Sequence, residues 1–564
     1  MKFKYLVIFL CLSIFQKINA QVTSQKTPPK ISIGVIRWDA WYDGAGGAVQ
    51  KAVEKSLGPL KYHSRLPFFA KELADDQVFI GNNSQELMDQ EILLAEKAGI
   101  DYWAFVYYKD TDVMSTALKN YLKSSHNNLV NFSIIDSVGW GATYTNYKTV
   151  IDKRVNYMRL ANYQLVKGNR PIYYLMSPGS TILEKYWNND VQNFRDAISY
   201  LRTSCKAVGL ADPYIVLMDY QDTLALGADA LSTYAMQGSH INAPHSTLSE
   251  TFKNRWETQA KTGKEIIPSL TAGWDPRPRV DNPVPWGSSG SSYYIKATEA
   301  EIVADIKDGI NWASAHSKGL DSSIIIYAWN EYDEGGWLAP TFKKGDANGD
   351  TSRVDALNKL KNSFENAILT YSSNGDFTNT LADGSIQFFK SNGVLYQSKE
   401  SDGRYSIFNS DFTISRYGNI VTNSDGSITY YDLSNKLLKV VFNDGKYKIP
   451  YTDGWLYYDS KGVYLLHETV LPNGAYKLYN AAGTLYESKD ESGNITYFEA
   501  GKVVKILLAD GRVKKPYTDG WLYYDSKGVY LLHETVLPNG AYKLYNAAGT
   551  LYESKDESGK ITYY

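Results

Sequence analysis

At 564 residues the chain is longer than one ordinary core can organise, so two or more domains are expected. Its 59 basic and 61 acidic side chains leave a formal net charge of -2, which gives no basis for a polyanionic partner and sets nucleic acid aside. Aromatic residues make up 14%, with 46 Tyr and 13 Trp, more than a core needs and suited to flat, hydroxylated ligands.

Residues 1–20 read as a signal peptide: Lys2 and Lys4, an apolar run from Tyr5 to Phe15, then Ala20 before polar Gln21. The run is too short for a membrane span, and no later stretch is long enough, so no transmembrane segment is expected. Phe9-Leu10 lacks the small residue expected before a lipidated cysteine, so Cys11 is not read as an anchor. The expectation is an exported protein, periplasmic, cell-surface or extracellular. Cys205 is the only cysteine beyond the signal, which excludes an intramolecular disulfide, and its helical context marks it as buried filler. Seven histidines without metal-ligand spacing give no support for zinc, and no metal or cofactor is expected.

After a linker over 21–30 containing Pro28-Pro29, strand and helix patterns alternate. Strands are expected at 31–38, 102–107, 131–135, 171–175, 214–218, 230–234, 266–270 and 323–328. Amphipathic helices are expected at 86–98, 146–166, 191–208 and 299–316, with a last one at 355–370. Eight such units over 31–371 predict an α/β fold, a (β/α)8 TIM barrel with loop insertions. The segment Gly345 to Asp350 resembles a calcium loop, but the twelfth position counted from Asp346 is Leu357 where a carboxylate is needed, so it is read as a loop capping the final barrel helix. From 372 the chain changes to short tyrosine-rich strands between Asn-Gly, Asp-Gly and Ser-Gly turns, an all-β hairpin-repeat region. Within it, 451–498 recurs as 517–564, differing only at Asn494 against Lys560 and Phe498 against Tyr564. Such arrays gain stability by stacking unit on unit. The repeats could present Tyr457 and Tyr458 to a surface glycan, or serve as a spacer whose tyrosines pair across strands.

Active sites on this barrel lie at the carboxyl ends of the strands. Polar and aromatic residues gather there: Arg37, Trp38, Asp39, Trp41 and Tyr42, then Tyr107 and Tyr108, then Asp136 and Trp140. Asp219 and Tyr220 follow the fifth strand, Tyr234 the sixth, and Trp274, Arg277 and Arg279 the seventh. The eighth ends in Trp329-Asn330-Glu331-Tyr332-Asp333-Glu334, with Trp337 beyond. Glu331 and Glu334, where an apolar run gives way to carboxylates among indoles, read as a catalytic pair acting on a sugar. Like charge and burial would keep one of them protonated near neutral pH, and Arg277 or Arg279 would hold the other ionised or bind sugar hydroxyls. The other rim residues are candidate substrate contacts, with Trp274, Trp329 and Trp337 as stacking faces.

The stretch from Asn330 to Gly335 resembles the Asn-Glu-Trp-His-Glu-Gly signature of the glycoside hydrolase family 99 and family 99-like group, whose characterised members are endo-α-mannosidases. Pro268-Ser269, Gly273, Arg277 and Arg279 fit a second motif of that group, and the Trp38, Trp41 and Tyr42 cluster with Gly99 to Tyr102 fits its first two strands. The resemblance covers the barrel and none of the repeats. It implies a retaining glycoside hydrolase, with Glu334 as general acid and then base, and Glu331 as the base that activates the sugar's own 2-hydroxyl; the signal peptide adds the expectation of secretion. Tyr332-Asp333 stands in place of Trp-His, and no glutamate precedes Pro340, which touches substrate choice before it touches hydrolysis. The residues alone fit an ordinary two-carboxylate mechanism, retaining or inverting, equally well. Two other readings stay open: a non-catalytic glycan-binding surface protein, and a barrel serving polysaccharide assembly.

Overall fold

A computed structural model describes residues 26–43, 47–219, 226–287 and 290–564. The signal-like segment, Cys11 and Tyr220 lie outside the described residues. The chain forms two compact units: the described residues up to Asp402 with Ser406–Ser415, and Gly403–Tyr405 with Arg416–Tyr564.

The first unit is built on a parallel barrel of strands β1 (Ile31–Arg37), β2 (Tyr102–Val106), β3 (Asn131–Asp136), β4 (Arg170–Met176), β5 (Tyr214–Met218) and β6 (Ala230–Ser232). It is completed by β7, in two pieces at Glu265–Ile266 and Ser269–Thr271, and by β8 (Ser322–Tyr327). Consecutive strands pair, and β8 pairs with β1, Ile33 opposite Ile324. The expected seventh strand is broken because Pro268 has no N–H to give the ladder. Its first piece pairs with β6 and its second with β8, so the ring closes across the break. Side chains alternate: Ile325 and Tyr327 point into the barrel, Ile324 and Ile326 towards the helices. Inside, Tyr102 fills the space over Gly34, where an added Cβ would lie 2.1 Å from its ring. The Tyr102 hydroxyl meets those of Tyr174 at 2.7 Å and Ser323 at 2.8 Å.

Two expected helices are shorter than their patterns. The one read over 146–166 is Tyr147–Met158, because Lys167, Gly168 and Asn169 take left-handed conformations and fold Leu165–Val166 back onto β4. The one read over 355–370 is Ser352–Glu365, and Ile368–Tyr371 opens a β-sheet instead. The stretch read as a capping loop is strand Asp346–Asp350 of a hairpin with Thr341–Lys343, although the Asp350 carboxylate does accept the Ser352 N–H at 3.0 Å.

Composition changes near 372, yet the first strands beyond it pack on the barrel. Phe377, Phe389 and Leu395 form a cluster against Ala315, Gln387 donates to Asn311 at 2.6 Å, and Lys307 faces Asp383 and Glu400. The packing boundary therefore lies near Arg416.

The second unit is an antiparallel meander of sixteen strands from Asn419–Thr422 to Ile561–Tyr563, each paired with the next. Its Trp455, Tyr457, Tyr458, Tyr476 and Tyr479 are half-buried, with cross-strand partners in place of a core. Tyr457 donates to Glu468 at 2.6 Å, and Tyr447 stacks on Tyr458 with centroids 5.1 Å apart. Paired residues share a face. Tyr447 is opposite Tyr458, Gly454 opposite Thr469, and the ladder runs on through Lys477, Ser488, Thr496 and Ile506 to Lys514. Lys514 thus lies on the face of Tyr447, while its counterpart Lys448 lies on the other. Equivalent strands of the two copies lie seven positions apart in the sheet, an odd offset, so equivalent side chains point to opposite faces of one sheet.

Candidate active site

β8 carries its register to Tyr327, whose peptide bond to Ala328 is cis, and the chain then turns across the barrel mouth. Asn330 pairs with Trp337 and Glu331 with Gly336, so the E-x-x-E motif is a tight hairpin with Tyr332 to Gly335 as its loop. Gly335 sits at φ 87°, and a Cβ there would meet the Asp275 nitrogen at 2.4 Å. That close approach lets the Asp275 N–H donate to the Glu334 carbonyl at 2.6 Å, locking the hairpin to the loop after β7.

The loop supplies Arg279, from the short helix Arg277–Asp281, and its guanidinium binds three carboxylates. Nε donates to Asp333 Oδ2 at 2.7 Å and Nη2 to Asp333 Oδ1 at 2.9 Å. Nη1 donates to Glu334, and Nη2 reaches Glu331 Oε2 at 3.3 Å. Because neighbouring nitrogens of one rigid fork hold them, the two glutamates stay inside the ~9.5 Å outer limit of glycosidase carboxyl pairs. Tyr327 also donates its hydroxyl to Glu334. Burial, then the charge of Glu334, pushes Glu331 well above the usual carboxylate range, against the pull of Arg279. Burial raises Glu334 too, opposed by the Arg279 charge and the Tyr327 hydrogen bond. Burial thus opposes ionisation of both, and at Glu331 the Glu334 charge adds to it.

A second network lies beside the pair. Asn330 donates to Asp39 at 2.8 Å and accepts from the Trp38 N–H at 3.1 Å, while Arg37 bridges Asp39 and Glu91. Burial lifts Asp39 to about 6 despite Arg37. Trp38 donates its indole N–H to Tyr108 at 2.6 Å. Burial and the Glu331 charge raise the Tyr108 hydroxyl, and burial with both glutamates raises that of Tyr234. Trp38, Asp39, Tyr108, Tyr234, Arg279 and Asn330 therefore surround the pair.

Several expected contacts fall elsewhere. Trp329 is 0% exposed and packs on Trp103, its N–H given to Glu91 at 3.1 Å, so it offers no stacking face. Trp337 is buried with the Arg353 guanidinium 4.6 Å from its ring, and Trp274 is buried against Tyr327. Trp41 packs on Phe69 and Tyr332 in the core, and Trp140 lies between Trp187 and Phe194. Asp136 is held by Arg154 and by Tyr173 at 2.8 Å, with Tyr107 3.6 Å from the same guanidinium. Arg277 grips Asp275 at 2.7 Å through two nitrogens, away from the glutamates. Asp219 accepts the Tyr234 N–H at 3.1 Å and so fixes the end of β6. The sequence assigns no role to Tyr327, which bonds Glu334, to Asp333 as an Arg279 partner, or to Trp286, 5.9 Å from the same guanidinium. Cys205 is buried against Met158, its thiol pushed up to about 12 by burial.

The fold is a (β/α)8 barrel with a carboxylate pair at its strand ends. Residues 70–349 match the family model described as glycosyltransferase WbsX, a span that takes in β2 to β8 and both glutamates. Over those residues the chain is similar to that family. No curated protein matches the chain. Among solved structures, the chain is similar to a GH99 endo-alpha-mannosidase from Bacteroides thetaiotaomicron, at 14% identity over 60% of this chain and 98% of that one, TM-score 0.37. It is also similar to a glycoside hydrolase family 5 protein from Bacteroides vulgatus, at 10% identity over 64% and 83%, TM-score 0.31. A third is the TCP10 domain of Danio rerio CPAP in complex with a STIL peptide, at 14% identity over 35% and 97%, TM-score 0.15. Among the described residues, no helix is long and apolar enough to cross a membrane.

Proposed function

We propose that the chain is an exported glycoside hydrolase, retaining and endo-acting on a polysaccharide or glycan. The observation that carries this reading is the pair Glu331 and Glu334, gripped by one guanidinium at the mouth of the barrel. Two adjacent buried carboxyl groups, both raised above the usual carboxylate range, suit a site where one protonates a leaving oxygen while the other acts as base. The roles implied by the resemblance put the acid's proton on Glu334 when the glycosidic oxygen arrives, with Glu331 taking the 2-hydroxyl proton. Losing the Arg279 bond as substrate arrives would make Glu334 hold its proton more tightly. An α-mannan-like substrate is one the resemblance suggests. The tyrosine-rich sheet would hold the enzyme near its polysaccharide through exposed aromatic edges.

The family model's name favours a second reading, transfer from an activated sugar in polysaccharide assembly. A nucleotide-sugar diphosphate needs uncommitted cations, and the arginines of this site face carboxylates: Arg65 and Arg277 on Asp275, Arg279 on three. Hydrolysis is therefore preferred.

The test is release of reducing ends from α-mannans, α-glucans and plant or bacterial polysaccharides by wild type, Glu331→Gln and Glu334→Gln. Loss in both variants supports the pair, and equal release by all three overturns it. Activated aryl glycosides, which need no acid, then sort the roles: the variant that keeps turnover on them has lost the acid. Retained glycan binding with no turnover by any protein would favour the non-catalytic surface protein, and tight binding of a nucleotide sugar would favour transfer.

A further inference from the structure

Trp286 stands at the tip of the turn Val284-Pro285-Trp286-Gly287, closed by a bridge between Val284 and Gly287 and anchored by the buried Val284 side chain. Its indole is 42% exposed. It is not adrift: its ring lies 5.7 Å from that of Trp38 at 58°, and the Arg279 guanidinium lies 5.8 Å from Trp38 and 5.9 Å from Trp286. Trp38 is in turn fixed by its indole bond to Tyr108 and its backbone bond to Asn330. Two indoles therefore form an angled corner beside the glutamate pair, one held rigid and one leaving its surface to solvent. A large aromatic face kept exposed by a proline-stiffened turn and braced at the rim of a polar site is a feature of ligand contact.

We infer that the Trp38–Trp286 corner is the sugar-stacking subsite of this barrel and that it takes an uncharged pyranose ring. The choice of a sugar rests on the glycosidase reading. The choice of an uncharged one rests on electrostatics: around the corner, Arg279 faces Glu331, Asp333 and Glu334, so three carboxylates are set against one cation, and a uronate or phosphate would meet net repulsion. Even with a proton on the glutamate pair, the cluster remains negative. The corner also takes over the stacking role that Trp274, Trp329 and Trp337, all buried, do not offer.

The test separates binding from turnover. In the full-length Glu331→Gln chain, oligosaccharides of α-mannan, α-glucan and polygalacturonate are titrated by calorimetry, with and without Trp286→Ala or Trp286→Phe. The expected result is binding of a neutral oligosaccharide that weakens ~3- to 10-fold in Trp286→Ala and recovers in Trp286→Phe, matching the worth of an aromatic contact. In the active chain the same substitution should raise KM with little change in kcat. Unchanged affinity in Trp286→Ala, tighter binding of polygalacturonate than of neutral chains, or no binding by any of the three overturns the inference. Turnover that survives Glu331→Gln would overturn the glutamate roles alone, because the affinity comparison does not depend on them.

Discussion

The barrel and the sixteen-stranded sheet place their aromatic side chains in opposite ways. In the barrel, Trp41, Trp103, Trp187, Trp256, Trp312 and Trp329 are fully buried, whereas the indole of Trp286 is exposed. In the sheet, Trp455 and Trp521 are half-buried, each lying under a lysine, Lys448 at 4.1 Å and Lys514 at 4.7 Å. One unit owes its stability to a core, the other to many small cross-strand pairs. An exposed indole is therefore uncommon in the first, whereas half-buried indoles are ordinary in the second.

The largest expected effect bears on the barrel's side of this contrast. Glu331→Gln or Glu334→Gln should lower turnover of polysaccharide ~10²- to 10⁴-fold, the usual worth of general acid–base groups, measured as reducing-end release. Next, Trp329→Ala should cost ~3–5 kcal/mol of barrel stability, whereas Trp455→Ala should cost the sheet only ~0.2–1 kcal/mol. Hydrogen exchange resolved by segment reads the two units separately, and equal costs would erase the contrast. Smaller again, Gly462→Ala should cost ~1–2 kcal/mol locally because φ there is +84°, and Gly528→Ala should cost the same in the second copy.

The smallest effect concerns pH. Glu331 binds its proton more tightly folded than unfolded, so its contribution to stability is fully present below the unfolded value of ~4.3 and is lost as pH rises through the raised folded value. Glu331→Gln cannot titrate. Its melting temperature relative to wild type should therefore climb between acid and neutral pH, by a few degrees at most. A flat difference across that range would show that Glu331 is not held protonated.

Much of this was legible in the sequence where local signals agree with the fold. The helix Glu299–His316 lies within its expected limits because Thr298 and Glu301 form a reciprocal cap that announces its start. β5 matches its expected span because five apolar residues are buried on both faces. The glutamate pair was legible because carboxylates after a buried strand have no packing reason to be there. The indoles were not: whether Trp329 faces the pocket or the core depends on a hairpin bend that composition does not encode. Asp333 shows a third carboxylate in the sequence, yet only the turn through Gly335 brings it back onto Arg279. Trp286 carried one faint signal, an indole in a Pro-Gly turn with no periodic partner.

The odd strand offset between the repeat copies has a practical corollary. A probe raised against the patch around Trp455 and Lys448 will find that patch again around Trp521 and Lys514 on the reverse of the same sheet. Two probe molecules can then sit back to back on one chain without competing, and a probe with two arms will link chain to chain in place of saturating one. A third copy of the same length would restore the first orientation, so lengthening this array by whole repeats alternates which side is printed.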